Sequence, residues 1–153
     1  MKTAVKKKYL FFVVFFVVCQ AGYCQQAIGI DRMIDDFASQ KNVTKIKLNR
    51  GVMAFASLFY NTMGVKSAYI LSFDNSDEEI KERFSEAARN FKDPEFEPFV
   101  SVNKEGENVK IMIRIKDDSI KELIILKSGE SCALVRLKGS INSSKIDKLI
   151  NED

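Results

Sequence analysis

The chain has 153 residues, of which 24 are basic and 21 acidic, and it contains neither histidine nor tryptophan. The absence of histidine excludes Ser–His–Asp and Cys–His catalysis and removes the commonest protein ligand of zinc, copper and non-haem iron. We therefore expect no metal and no organic cofactor, and any catalysis would rest on carboxylate, lysine or serine chemistry.

Residues 1–24 are predicted to be a signal peptide. A lysine-rich start precedes an unbroken apolar run over residues 9–19. A membrane-spanning helix needs roughly 20 apolar residues, so this run is too short to span a bilayer and fits the hydrophobic region of a signal peptide. Gly22 and Cys24 occupy the −3 and −1 positions if cleavage falls between Cys24 and Gln25. The segment predicts export to the periplasm or the exterior.

Two alternatives stay open for this segment. A buried core strand is disfavoured, because the lysines and an unalternating apolar string would have to pack at a chain terminus. A lipid anchor on Cys19 or Cys24 is the stronger alternative. A lipid-carrying cysteine normally follows a small residue, whereas Val18 and Tyr23 precede these two. Simple cleavage is therefore favoured over lipidation, and the chain is exported in either case.

The formal net charge of +3 belongs mostly to the leader. Removing residues 1–24 takes away four lysines and no acid, which leaves 20 basic against 21 acidic residues. The basicity of the whole chain is therefore no argument for nucleic-acid binding. Residues 25–153 suit a single domain. Cys132 is then its only cysteine, so stability has to come from packing, and a buried inert thiol is favoured over an intermolecular disulfide.

The first part of the domain predicts a helix followed by a strand. Apolar residues recur with helical spacing over residues 30–37, which predicts a short amphipathic helix. Asp31, Asp35 and Asp36 fall on its outer face, and we interpret them as solvated acids near a helix N-terminus rather than a cation site. Residues 43–49 alternate in the manner of a half-buried strand.

A helix predicted over residues 51–63 is unusually apolar. Eight of the nine residues from Val52 to Tyr60 are apolar, and such a helix is normally packed on two sides. In a small domain one side could instead contact a partner, a ligand or a second copy, although burial in the core is favoured. The candidate contact residues are Val52, Met53, Phe55, Leu58, Phe59 and Tyr60.

A second strand is predicted over residues 65–73, followed by a helix. Ser76 and Glu79 match a capping box, which predicts the start of a helix whose apolar stripe runs to Phe91. The acidic cluster around the cap lacks the spacing and the central glycine of an EF-hand. Pro94 and Pro98 then indicate an extended connection.

The last third predicts four strands near residues 97–104, 108–116, 120–127 and 131–138. Short turns rich in Gly, Asp, Asn and Ser separate them, as in an antiparallel meander. A closing helix is predicted from about Asn142. Together the elements predict an α+β fold: a mostly antiparallel sheet, in which two strands alternate with helices before a four-strand meander, with helices on one face.

Six basic residues would share the uncovered face of such a sheet, namely Lys45, Lys47, Arg114, Lys116, Arg136 and Lys138. A basic stripe of this kind could bind a polyanion or an acidic partner. No aromatic residues are interleaved for base stacking, so nucleic acid is not expected. Exposed lysine and arginine often serve only to keep a sheet soluble, and that alternative is favoured.

Two stretches, "IDRMIDDFASQKNVTKIKLNRGVM" and "IKELIILKSGESCALVRLKGSINSSKIDKLI", are similar to domain-of-unknown-function family 4252, a group of exported proteins mainly from Bacteroidetes. The resemblance covers most of residues 28–150. It implies an α+β domain in the cell envelope and a link to envelope signalling, and it carries over no catalytic residue.

The favoured functional hypothesis is a non-catalytic binding or interaction module of the cell envelope. Its partner would be an envelope protein, a small ligand or a second copy forming a homodimer, and not nucleic acid. The membrane would be touched only through a lipid anchor. The alternative is a hydrolase or transferase that uses two neighbouring carboxylates. The candidates for that chemistry are Asp74, Asp93, Glu95 and Glu97.

Overall fold

The computed structural model describes residues 29–57 and 63–141, with side chains described outside residues 55–57. The described chain forms three helices, α1 (Ile30–Ala38), α2 (Arg50–Ser57) and α3 (Glu78–Asn90). Its strands are β1 (Thr44–Leu48), β2 (Val65–Ser72), β3 (Glu97–Lys104), β4 (Glu107–Lys116), β5 (Ser119–Ser128) and β6 (Ala133–Ile141). The predicted leader and the predicted closing helix lie outside these residues.

The strands form one six-stranded sheet in the order β1-β2-β6-β5-β4-β3, with every neighbouring pair antiparallel. Strands β3 to β6 are the predicted meander. Asp117 and Asp118 form the β4–β5 turn with φ angles of 52° and 55°, the left-handed backbone that tight hairpins need and that aspartate tolerates. The α+β fold predicted from the sequence is confirmed.

Helices α1 and α3 pack on one face of the sheet and enclose the main core. Phe37 of α1 contacts Phe73 and Phe84 edge-to-face, with ring centroids 5.7 and 5.4 Å apart. Phe73 and Phe84 stack at 4.2 Å. Such pairs stabilise a core beyond the apolar area they bury. Cys132 is fully buried in the same cluster, as the sequence predicted.

The opposite face of the sheet is also apolar and carries α2. Val65, Ile113 and Leu123 are buried there, and Met53 of α2 packs against them. The helices therefore occupy both faces, whereas the sequence pattern led us to expect them on one. Both alternating positions of β4 and β5 are apolar near their middle, so each face of the sheet needs a cover.

The predicted capping box at the start of α3 is wrong. The helix begins one residue later than that box requires, with Asp77 as its N-cap and no side-chain hydrogen bond at the cap. The Ser76 hydroxyl is buried and donates instead to the Asn42 carbonyl oxygen at 3.2 Å. This serine ties the α1–β1 loop to the start of α3, a long-range contact that local sequence spacing could not reveal.

Helix α1 is anchored from a distant loop. The Ile30 amide donates to Asp93 Oδ2 at 3.0 Å, and the Glu95 amide donates to Asp93 Oδ1 at 3.0 Å. The carboxylate thus satisfies an otherwise unpaired donor at the helix start. This contact fixes the N-terminal turn of α1, which carries Asp31, above the sheet. None of the described helices is long and apolar enough to cross a bilayer.

Candidate functional site: a basic groove beside a buried glutamate

The register of the strands places the predicted basic residues on one face of the sheet. Lys45 pairs with Leu71, and Lys47 pairs with Tyr69. Tyr69 in turn pairs with Arg136. Directly opposed residues in an antiparallel ladder share a face, so these basic side chains lie on the same face as Leu71.

The same relation extends across the meander. Glu122 of β5 pairs with Lys138 on one side and with Arg114 on the other. Lys116 lies two residues beyond Arg114, at the end of β4. All six predicted residues therefore share one face. From the sequence we expected these residues on an uncovered face, but this face carries α1 and α3. The reason is that core residues such as Leu71, which the helices cover, point to the same side of the strands as the basic residues do.

Glu122 is the centre of the charged cluster on this face. Its side chain is only 1% exposed, although it is ionisable. Oε1 accepts from Arg136 Nε at 2.8 Å, from Arg136 Nη2 at 2.7 Å and from Lys138 Nζ at 3.1 Å. Oε2 pairs with Arg114 Nη2. A buried carboxylate is costly unless it is paired and hydrogen-bonded, and three cations meet that requirement here.

Arg136 connects this buried centre to helix α1. Its side chain is 11% exposed, and Nη1 donates to Asp31 Oδ1 of α1. The hydrogen bond from Arg136 holds the pKa of the Asp31 carboxyl below its ordinary value, against a smaller opposing effect of burial. Burial lowers the pKa of Arg136, but its bonds to Asp31 and Glu122 outweigh this and raise the pKa. The guanidinium is therefore charged and held from two sides.

Arg114 lies at the end of the charged cluster opposite Arg136, on the other side of Glu122. It pairs with Glu95 at 3.6 Å and lies 5.9 Å from the centroid of the Phe96 ring. Its Nε is buried and has no hydrogen-bond partner in the part of the chain that the structure describes. This end of the cluster is therefore less completely satisfied than the end at Arg136.

A groove of about 490 Å³ opens beside Arg136, between α1 and the β1 side of the sheet. Four cationic side chains line it: Lys47, Arg50, Arg136 and Lys138. Asp35 is its one lining acid among the described residues. Within that part of the chain, no carboxylate lies within 4.0 Å of Lys47 or Arg50. The groove therefore presents a net positive surface.

The rest of the groove is mixed in polarity. Asn49 and Ser67 contribute polar atoms, and Tyr69 contributes a ring and a hydroxyl. The apolar lining residues are Ile34, Leu48 and Ala68. Most lining residues are therefore polar or charged, and the volume of the groove falls in the range of small-ligand sites.

The second predicted surface, on the apolar helix, is only partly described. Val52 is 50% exposed, and Met53 is half-buried against the second core cluster. Phe55 lies within α2, but its side chain is outside the described set. Leu58, Phe59 and Tyr60, and the predicted cleavage residues Cys24 and Gln25, are outside the described residues. This contact surface stays a prediction.

The carboxylates of the enzymatic alternative differ in their partners, although Asp93 and Glu95 share one turn. Asp74 accepts from the Ser72 hydroxyl at 2.8 Å. Asp93 anchors α1, Glu95 pairs with Arg114, and Glu97 is exposed on the edge strand β3. Among residues 29–57 and 63–141, no group of three or more His, Cys, Asp or Glu side chains is arranged to hold a metal ion.

Sequence reasoning missed part of the site. Arg50, Asn49, Ser67 and Tyr69 come from the end of β1 and from β2, and only the folded sheet brings them beside Lys138. Glu122 did carry a signal, since it alternates along β5 with the apolar residues Ile124 and Leu126. Such a position predicts a buried, paired carboxylate.

Comparison with known proteins identifies a family. The family model described as "Domain of unknown function (DUF4252)" matches residues 37–149, which is most of the chain. The searches of curated proteins and of solved structures return no match. The matched range contains all six described strands, together with every cation that lines the groove. The chain belongs to the DUF4252 family.

Proposed function

We propose that the protein is a non-catalytic binding module that takes an acidic ligand in the basic groove. The observation that carries the proposal is the groove's lining of four cations, two of which, Lys47 and Arg50, face no carboxylate within 4.0 Å in the described part of the chain. Convergent cations without counter-ions attract an anion to a concave site.

The buried glutamate supports binding rather than chemistry. Glu122 is 1% exposed and faces Arg114, Arg136 and Lys138, so a ligand in the groove meets the cations and not this carboxylate. Its function in the proposal is to hold Arg136 and Lys138 in place before the ligand arrives. A preorganised site loses less side-chain entropy on binding.

We also propose that the module acts outside the cytoplasm, after removal of residues 1–24. The support is the lysine-rich start followed by the apolar run over residues 9–19. Intact-mass measurement of the protein from a cell-envelope fraction tests this, and we expect a chain that begins at Gln25. A mass increased by a lipid would instead indicate anchoring through Cys19 or Cys24, and an unprocessed chain would contradict export.

The binding proposal is tested with two matched lysine variants. Lys47 lines the groove, whereas Lys45 lies two residues earlier on the same strand and the same face but does not line it. We expect isothermal titration of the purified protein with benzoate, citrate and inorganic phosphate to detect binding of at least one of them. Lys47→Gln should weaken that binding about fivefold, or about 1 kcal/mol.

The control variant Lys45→Gln should bind as the wild type does, because the net charge changes equally while the groove does not. Equal losses in both variants would show a diffuse charge effect and would contradict a defined site. Absence of binding by the wild type to all three anions would contradict the proposed function itself.

A further inference from the structure

We infer that the ligand of the basic groove is an organic carboxylate with an apolar body, and that Asp31 occupies its place on Arg136 in the free protein. The inference rests on the proposed function and names the class of ligand. It combines three observations: the walls of the groove, the bonding of Arg136 and the exposure of Asp31.

The walls favour an organic anion over an inorganic one. Leu48 and the Tyr69 ring line the groove and are only half-buried, so they keep apolar surface in contact with water, whereas the lining residues Ile34 and Ala68 are already buried. An inorganic ion covers none of this apolar surface, whereas an acid with an apolar body removes it from water, which is favourable. The volume of about 490 Å³ has room for such a body.

Arg136 favours a carboxylate as the acidic group. Its Nε and Nη2 bond Oε1 of Glu122 at 2.8 and 2.7 Å, and its Nη1 bonds Asp31. Both partners are carboxylates, which match the planar fork of a guanidinium. Asp31 and Asp35 lie four residues apart and so share one side of α1, and Asp35 lines the groove. The bond from Nη1 to Asp31 is therefore made at the border of the groove.

The two carboxylates on Arg136 differ sharply in exposure. The side chain of Asp31 is 83% exposed, and that of Glu122 is 1% exposed. An exposed ion pair contributes little free energy and is easily exchanged, whereas the loss of a buried partner is costly. A ligand carboxylate can therefore replace Asp31 at Nη1 while Glu122 keeps the guanidinium in position. The lysines that line the groove then add to the attraction.

Titration calorimetry of the purified protein with benzoate, benzenesulfonate and acetate tests this inference. Benzoate and benzenesulfonate share one apolar body and one charge, and acetate lacks the body. We expect benzoate to bind most tightly of the three. Asp31→Asn should raise its affinity about threefold, because the competing carboxylate is gone. Asp36→Asn, on the same helix and with the same change of charge, should leave the affinity unchanged.

The outcomes distinguish a failure of this inference from a failure of the proposed function, the binding of an acidic ligand in the groove. Equal benzoate affinities of Asp31→Asn and Asp36→Asn would overturn the assignment of Asp31 as the internal occupant. Tighter binding of benzenesulfonate than of benzoate would overturn the assignment of a carboxylate as the acidic group. Tighter binding of acetate than of benzoate would overturn the assignment of an apolar body to the ligand. Either result would still be consistent with a groove that binds anions. If neither the wild type nor Asp31→Asn bound any of the three while the wild type bound citrate or phosphate, this inference alone would fail. If citrate and phosphate did not bind either, the acidic-ligand function would fail as well.

Discussion

At the scale of single residues, Glu122 is the side chain on which the charged face depends. It is buried, and its two oxygens are shared among Arg114, Arg136 and Lys138. Replacing it leaves cations that repel one another, one of which, Arg136, is itself mostly buried. The same residue therefore contributes to stability and to the arrangement of the groove.

The substitution Glu122→Gln should lower the free energy of unfolding by about 3 kcal/mol, because it removes the charge that compensates the mostly buried Arg136 and its two cationic neighbours. Glu107→Gln is the matched control, since Glu107 pairs with Lys127 at 3.2 Å on the same sheet but is substantially exposed. It should cost less than about 1 kcal/mol. Urea denaturation of both variants measures the difference, and equal costs would contradict the assigned importance of Glu122.

The pair between Asp31 and Arg136 predicts a pH dependence. The pKa of Asp31 is lowered from 3.8 by the hydrogen bond from Arg136, so the folded state holds the ionised form more strongly than the unfolded state does. Its stabilising contribution is present above the unfolded pKa and is lost as the pH falls through the folded pKa.

We therefore expect Asp31→Asn to be less stable than the wild type by about 0.5 kcal/mol at neutral pH. The difference should shrink as the pH falls below about 4 and should vanish at lower pH. Denaturation midpoints measured as a function of pH test this, with Asp36→Asn as the control on the same helix. A difference that is constant with pH would show that Asp31 acts through something other than its charge.

At the scale of elements, the contact between β2 and β6 depends on the absence of a side chain at Gly139. A Cβ placed there would collide with the Gly64 carbonyl oxygen and would lie 3.0 Å from Val65 Cα. This contact coincides with the irregular register between Val65 and Ser67. Because the obstructing atoms are backbone, the two strands would have to separate to make room.

The substitution Gly139→Ala should lower the free energy of unfolding by about 3 kcal/mol. Gly106→Ala is a useful comparison, because Gly106 has a φ of 86° but a Cβ added there would meet no described atom within 4 Å. It should cost about 1 kcal/mol from backbone strain alone. Thermal or urea unfolding of the two variants ranks them, and a smaller cost at Gly139 than at Gly106 would contradict the close packing of β2 on β6.

The elements were predictable from the sequence where the signal was local. Alternation and turn residues located the meander, and β3 spans the predicted residues 97–104. The capping box predicted at Ser76 was wrong because the Ser76 hydroxyl donates to Asn42, which is far away in sequence. Only some of the residues that line the groove were predictable. The alternation of the strands predicted Lys47 and Lys138 as charged residues on the sheet surface, but only the pairing of β2 with β6 brings Ser67 opposite Lys138. The register between two strands that are distant in sequence cannot be predicted from the pattern of apolar and polar residues in one strand.

At the scale of the whole molecule, both faces of the sheet carry apolar clusters, and the face that carries α1 and α3 also carries the charged cluster around Glu122. The main core lies under α1 and α3, and the second cluster lies on the face of α2. The basic groove lies where α1 meets the β1 side of the sheet, beyond the main core. The fold thus supports a charged site on the sheet and leaves one side of that site open.

The central claim is that an acid binds in this groove, and backbone amide shifts in NMR spectra recorded while benzoate is added test it most directly. We predict the largest shift changes at Lys47, Ser67 and Lys138, which line the groove, with little change at Val102 and Asn103 of β3, at the opposite edge of the sheet. Changes concentrated on β3, or spread evenly over the basic residues, would contradict the claim.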